Sequence, residues 1–332
     1  MKRRVTVIGA GSWGTALAII AARQGHTVRL WSRNPAVADS INGEHRNSRY
    51  LSEATVPRDV VATTDLLQAI EAAEVVVLAA PSHALRQLLW EIKPALQAEA
   101  IVVSAAKGIE IETGKRISEI GSEVFPAHAF VCLSGPSFAH EVVANHPTAV
   151  VAASANQQAS ETIQTTYSSD TFRVYTNDDV IGTEFGGSVK NVMAIAAGMV
   201  AGLGYGSNSM AALVTRGLAE MSRLARHEGA KLETLMGLAG LGDLVLTCTG
   251  SLSRNRFVGE QLGKGRKLTE IAGEMNEVAE GVKTTLAVER LANRIGVDMP
   301  ITHEVHAVLY EGKPASEAVT ELMTRPLRAE HN

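Results

Sequence analysis

Residues 5–14 read Val-Thr-Val-Ile-Gly-Ala-Gly-Ser-Trp-Gly, a short apolar run ending in G-x-G-x-x-G. Each glycine answers a mechanical need. Gly9 lets the chain turn sharply out of a strand. Gly11 removes the Cβ that would keep a pyrophosphate off the backbone. Gly14 lets the following helix lie close to the sheet. The helix N-terminus then offers free N–H groups and the positive end of its dipole to phosphates. The pattern is a weak signal on its own, and its context strengthens it. Residues 15–24 read as a helix, Gly25 as its stop, and residues 27–31 as a second strand. The chain therefore opens with a β-α-β unit suited to a dinucleotide.

Strands and helices keep alternating through the first half. Residues 75–79 form a valine-rich run typical of a parallel strand buried on both faces. A helix follows, with Leu85, Leu88, Leu89 and Ile92 at helical spacing and Ser82 as its expected N-cap. Residues 101–104, 130–133, 149–152 and 172–175 read as further strands. This alternation predicts an α/β doubly wound sheet of Rossmann type, with its ligand at the carboxyl ends of the strands.

After Tyr175 the character changes. Residues 176–179 are a polar break, and almost no strand pattern follows. Helices are expected over 180–204, 207–228, 231–239, 256–263, 268–273, 283–295, 302–311 and 315–323. The expected division is a dinucleotide-binding domain over residues 1–178 and an all-helical substrate domain over residues 179–332.

Composition narrows the partners. A net charge of −4 creates no field that would draw the whole protein to nucleic acid or an anionic membrane. The longest apolar stretch, residues 192–204, is broken by Gly198 and Gly202 and is too short to span a bilayer. The opening Met-Lys-Arg-Arg leads straight into a strand, so no signal peptide and a cytoplasmic location are expected. Cys132 and Cys248 lie in apolar runs and are expected as free, buried thiols. His303 and His306 share a helix face but have no evident third ligand, so no metal is expected.

Several residues could carry chemistry. Lys190 has small residues around it at helical spacing: Gly187, Ala194, Ala197 and Ala201. Such a face lets another object approach, and a partly dry lysine loses pKa and suits acid–base work. The competing reading is a lysine snorkelling from a packed helix. Lys107 follows the strand at 101–104, and Gly135 and Ser137 follow the strand at 130–133, all at the ligand edge. Residues 237–243 are too glycine-rich for a helix interior. Beyond them, Arg254 can grip a phosphate through two parallel N–H bonds, with Ser253 and Asn255 adding others. Ser253 also fits a helix N-cap. Asp243 has no carboxylate partner nearby, which argues against glycosidase-type chemistry. The second strand ends in Ser32-Arg33-Asn34, with no acid to hold a ribose 2′-hydroxyl. Arg33 suits a 2′-phosphate, which favours NADP(H) while leaving NAD(H) possible. A plain surface charge is the other reading of Arg33.

Taken together, these motifs resemble one family, the bacterial NAD(P)-dependent sn-glycerol-3-phosphate dehydrogenases. The resemblance rests on GAGSWGTALA at 9–18, SAAKGIE at 104–110, LSGPSFA at 133–139 and GGSVKNVMAIAAG at 186–198. It continues through GLAGLGDLVLTC at 237–248, SRNRFVG at 253–259 and EVAEGVKT at 277–284. It implies interconversion of sn-glycerol 3-phosphate and dihydroxyacetone phosphate, supplying phospholipid synthesis. It also implies a helical half like the C-terminal domain of 6-phosphogluconate dehydrogenase. Lys190 becomes the proton donor and acceptor. Lys107, Gly135, Ser137, Asp243, Ser253, Arg254 and Asn255 become substrate contacts. Gly9, Gly11, Ser12, Trp13, Gly14, Arg33, Asn34, Lys107, Ala139, Arg254, Val278 and Glu280 become cofactor contacts. Two positions depart from the family's pattern: Leu51-Ser52-Glu53, where Leu-Pro is usual, and His140 after Ala139.

Two rivals stand beside this reading. An NADP-linked hydroxyacid dehydrogenase of the same build would not need Lys107 and the 253–255 loop. A non-catalytic NADPH sensor would need no lysine on a small-residue face. The apolar helical half points to a homodimer.

Overall fold

β1 (Arg4–Ile8) buries Val5, Thr6, Val7 and Ile8 in succession, so both of its faces must be covered. The computed structural model, which describes residues 2–275, 279–327 and 329–330, has β1 inside a sheet with helices on each side. After β1 come α1 (Ser12–Arg23), β2 (Thr27–Trp31), α2 (Pro35–Glu44), β3 (Arg46–Asn47), β4 (Leu51–Thr55) and β5 (Val60–Thr63). Next are α3 (Leu66–Ile70), β6 (Val75–Leu78), a 3-10 turn at Ser82–Ala84, α4 (Leu85–Ile92) and β7 (Ile101–Ser104). The sheet half closes with α5 (Ile117–Val124), β8 (Phe130–Ser134), α6 (Ala139–Val143), β9 (Thr148–Ala153), α7 (Gln157–Tyr167) and β10 (Phe172–Asn177).

The main sheet runs β10-β9-β8-β7-β6-β1-β2-β5, parallel throughout except for the antiparallel pair β8 and β9. One face packs α1, α6 and α7 against Val5, Val7 and Val103, and the other packs α3, α4 and α5 against Ile8, Val76 and Val102. The doubly wound sheet is thus as expected. Strands β3, β4 and β5 have no counterpart in the sequence reading. β3 has only two residues and pairs only with β4, and β4 and β5 mix buried and exposed residues.

The helical part begins with α8 (Val180–Gly202), then α9 (Ser207–His227) and α10 (Leu232–Met236). A π-turn at Leu238–Gly242 leads into α11 (Asp243–Thr249). α12 (Arg254–Gly263), α13 (Leu268–Glu274), α14 (Glu280–Ile295), α15 (Pro300–Tyr310) and α16 (Ala315–Thr324) complete it. α8 is buried continuously from Gly182 to Val200, as a helix covered on all sides must be, and Glu184, Lys190 and Asn191 are buried with its apolar residues. α12 lies directly on it, because Gly259 leaves room for the Ile195 carbonyl oxygen, only 1.9 Å from where a Cβ would sit.

Two local expectations are corrected. Residues 237–243, expected to be too glycine-rich for a helix interior, bend at Gly237 and then form the π-turn and the first residue of α11. The glycines fit because the turn folds tightly onto α10, with the Gly240 Cβ position 2.0 Å from the Leu235 carbonyl oxygen. Ser82 does not cap a helix. It starts the 3-10 turn, and its hydroxyl is drawn to Glu280 instead.

Candidate active site

The carboxyl ends of β6, β1 and β2 lie side by side, with Leu78, Ile8 and Trp31 in register. The 9–14 turn leaves the central strand of the three. Gly9 has φ +113°, and a Cβ there would strike the backbone of Ala79 and Ala80 at 2.8 Å. At Gly14 a Cβ would come within 1.8 Å of the Gly9 carbonyl oxygen. Nothing lies within 4 Å of the Gly11 Cβ position, so the second glycine faces open space. Trp13, at the start of α1, holds its indole N–H buried with no hydrogen-bond partner among the described residues. Open space beside a glycine, an orphaned donor and a helix N-terminus together fit the pyrophosphate arm of a dinucleotide.

Neighbouring elements brace this turn. Ser12 Oγ donates to the Tyr50 carbonyl at 2.9 Å, and Asn47 donates to the Ala10 carbonyl at 2.9 Å and to Thr15 Oγ1 at 2.7 Å. Arg33 is exposed just beyond β2. Asn34 caps α2, its side chain accepting from the Ala36 N–H at 3.0 Å.

A second cluster forms where the sheet edge meets the helices. Lys107 leaves the end of β7 and donates to Asp243 Oδ2 at 2.5 Å and to the Gly135 carbonyl at 3.2 Å. Lys190, 6% exposed on α8, donates to the other Asp243 oxygen at 2.7 Å and to Thr247 Oγ1 at 2.6 Å. Thr247 donates in turn to the Asp243 carbonyl, one helical turn back. Asp243 is itself 1% exposed, so one carboxylate serves two ammonium groups out of water.

That arrangement sets the protonation states. Burial drives the Lys190 ammonium down to about 8, against the raising pull of Asp243. Burial works to raise the Asp243 carboxyl, but Lys107 and Lys190 outweigh it and hold it below the usual carboxylate range. Lys190 is therefore poised near neutrality beside a fixed negative charge, the condition for an acid–base group.

The remaining predicted residues make contacts of their own. Ser137 Oγ donates to the Gly135 carbonyl at 3.0 Å, within its own turn. Ala139 is the first residue of α6. Ser253 caps α12 by accepting from the Arg256 N–H. Asn255 donates to Asn191 on α8 at 3.0 Å and accepts from the Gly281 N–H at 2.9 Å, so it ties α8, α12 and α14 together. Burial lowers the Arg254 guanidinium from its ordinary value, partly offset by Glu280. Glu280 accepts from Ser82 at 2.9 Å, which joins the first turn of α14 to the sheet edge.

Comparison with known proteins decides the family. Residues 4–160 match the model for the N-terminus of NAD-dependent glycerol-3-phosphate dehydrogenase, and residues 179–320 match the model for its C-terminus. Glycerol-3-phosphate dehydrogenase [NAD(P)+] of Koribacter versatilis is 52% identical over 98% of both chains. The Chlorobium phaeobacteroides protein of the same name is 49% identical over 98% of this chain and 99% of its own. The crystal structure of glycerol-3-phosphate dehydrogenase from Coxiella burnetii superposes with a TM-score of 0.95 at 42% identity, covering 98% of this chain and 99% of that one. The chain belongs to the NAD-dependent glycerol-3-phosphate dehydrogenase family.

Within this glycerol-3-phosphate dehydrogenase family member, Lys107, Gly135, Lys190 and Asp243 form one hydrogen-bonded cluster. Gly9, Gly11, Ser12, Trp13 and Gly14 form the turn, and Arg254 and Glu280 interact across the helical side. Val278 lies outside the described residues. Sequence reasoning missed Thr247, whose signal was its position four residues after Asp243 on one helix face. It also missed Ser82, Asn47 and Asn191, which act on partners remote in sequence and leave no local signal. The two departures from the family's pattern meet each other, with His140 Nδ1 against Glu53 Oε1. Both cysteines are buried and free. Among the described residues no group of His, Cys, Asp and Glu could hold a metal, and no helix is long and apolar enough to cross a membrane.

Proposed function

We propose that this chain interconverts sn-glycerol 3-phosphate and dihydroxyacetone phosphate, with Lys190 as proton donor and acceptor and NADP(H) preferred over NAD(H). The observation that carries this reading is the convergence of Lys190 and Lys107 on the buried Asp243 at the ligand edge of the sheet. The nicotinamide, when bound, gives or takes the hydride at the substrate carbon. The protein's own part is charge and position.

Reduction of a ketone builds negative charge on its oxygen. A cationic Lys190 stabilises that charge and delivers its proton; in the reverse direction the neutral amine removes the alcohol proton. A lysine with a pKa of about 8 supplies both forms near neutrality. Asp243 keeps it from losing its proton sooner, and Lys107 balances the second carboxylate oxygen. Arg254, Ser253 and Asn255 suit the substrate phosphate, so binding energy remote from the reacting carbon orients it. Gly135 and Ser137 line the same edge from the turn after β8. On the cofactor side Gly9, Gly11, Ser12, Trp13 and Gly14 would hold the pyrophosphate. Arg33 and Asn34 would meet the 2′-phosphate end, with Ala139, Val278 and Glu280 as the further contacts.

The division into domains at residues 178 and 179 belongs to this reading, as do a cytoplasmic location and a homodimer built on the helical half. The test is direct. Purified protein mixed with NADPH and dihydroxyacetone phosphate should consume absorbance at 340 nm. Constant absorbance across a range of pH overturns the reading.

A further inference from the structure

Three basic residues come from elements that neighbour the glycine turn. Arg33 stands two residues beyond the end of β2, on one flank of β1. His83 stands in the turn after β6, on the other flank. The third, Lys283, comes from the helical half. The bond from Ser82 to Glu280 sets the first turn of α14 against the 82–84 turn, and Lys283 follows Glu280 by three residues, on the same side of the helix.

Electrostatics agrees with this geometry. Burial, and then the fields of Lys283 and Arg33, hold the His83 imidazole below its ordinary value. Both cations are therefore close enough to act on the one ring. Among the described residues, neither Arg33 nor Lys283 makes a side-chain hydrogen bond or ion pair. The carboxylate closest to Lys283 along α14, Glu280, is engaged by Ser82. In a chain of net charge −4, this rim keeps two cations without a hydrogen-bonded anion, Lys283 sharing only the field of Glu280, and a ring donor beside them.

We propose that Lys283 is a specificity residue for the cofactor, binding the 2′-phosphate of NADP(H) from the helical side, together with Arg33 and near His83. The proposal rests on the reading of the chain as an NADP(H) enzyme. A phosphate dianion takes charge-assisted bonds from a planar guanidinium and a point ammonium together. A cofactor without that phosphate offers Lys283 only screened attraction at long range. Cofactor choice is then made jointly by β2 and α14, and a 2′-phosphate draws the helical half onto the sheet edge.

The test is calorimetric titration of the full chain with 2′,5′-ADP and with 5′-ADP, which differ in the 2′-phosphate. The variants are Lys283→Ala, Lys283→Arg and Arg33→Ala, each checked for an unchanged thermal melt. Lys283→Ala should weaken 2′,5′-ADP about tenfold or more and 5′-ADP less than about threefold, as loss of one charge-assisted bond predicts. Lys283→Arg should restore most of the difference, and added salt should narrow it. If Lys283→Ala weakens both probes alike, or neither, Lys283 does not read the 2′-phosphate. If the wild type binds the two probes equally, the NADP(H) preference fails together with the proposal. If Arg33→Ala alone removes the preference, the earlier reading stands and the role of Lys283 is overturned.

Discussion

Lys190 and Asp243 are 53 residues apart in the chain and 2.7 Å apart in the fold. They meet because α8 runs buried through the helical half and the π-turn at Leu238–Gly242 delivers Asp243 to its side. π-turns recur at functional sites, where they aim a side chain that a regular helix would direct elsewhere. The contact fixes the charge beside Lys190, and with it the pH range in which that lysine works.

Removing the ammonium should stop the chemistry and spare the fold. Lys190→Ala should lower kcat by about 10²–10⁴-fold, the range for loss of a positioned acid–base group. NADPH affinity, measured by fluorescence titration, should change little, because the 9–14 turn is separate from Lys190. A variant that keeps most of its kcat removes Lys190 from the proton-transfer role.

The same lysine predicts opposite pH limbs for the two directions. Ketone reduction needs the protonated form, so its kcat should hold below pH of about 8 and fall above it. Alcohol oxidation needs the neutral form and should rise through the same point. Asp243 raises the lysine, so Asp243→Asn should move both limbs to lower pH. Steady-state profiles in both directions check this, and limbs that stay in place in Asp243→Asn separate them from Lys190.

Much of this site could be read from local pattern. The glycine turn declares itself because its three constraints fall within six residues, and Lys190 because its small neighbours recur at helical spacing. Asp243 was legible as a residue but not as a partner. The glycines before it argue against a helix, whereas in the fold Gly240 is what allows the π-turn to close on Leu235. Ser82 satisfied the local rule for an N-cap, yet its hydroxyl goes to Glu280, 198 residues away. The β3–β4 hairpin was invisible because β3 has only two residues and β4 buries just Leu51 and Ala54, which makes neither an apolar run nor an alternation, although Asn47 and Tyr50 from that region brace the cofactor turn.

Gly11 and Gly14 should separate binding from stability. Gly14→Ala forces a Cβ against the Gly9 carbonyl oxygen and should destabilise the sheet half by about 1–3 kcal/mol, as overpacking does. Gly11→Ala meets no protein atom within 4 Å and should melt close to the wild type. Its methyl group would occupy the open side of the turn, so NADPH binding should weaken markedly. Thermal melts with and without NADPH distinguish the two. A Gly11→Ala variant that binds NADPH normally refutes the assignment of that space to the pyrophosphate.

Glu220 gives a prediction away from the site. It is 2% exposed on α9 and accepts from the Ile301 and Thr302 N–H groups and the Thr302 hydroxyl, each at 2.8 Å, at the start of α15. Burial pushes its carboxyl up to about 7, against the lowering effect of those donors. The folded chain therefore holds a proton that the unfolded chain releases near pH of about 4.3. A raised folded pKa makes stability greatest below the unfolded value, and stability is lost as pH rises through that window towards 7. Glu220→Ala strands three donors and should cost about 2 kcal/mol or more at acidic pH. It should also flatten the decline between pH of about 4.3 and 7, because the group that titrates is gone. Urea unfolding of both proteins across that range measures the two effects together, and an undiminished decline in Glu220→Ala assigns the titration to another group.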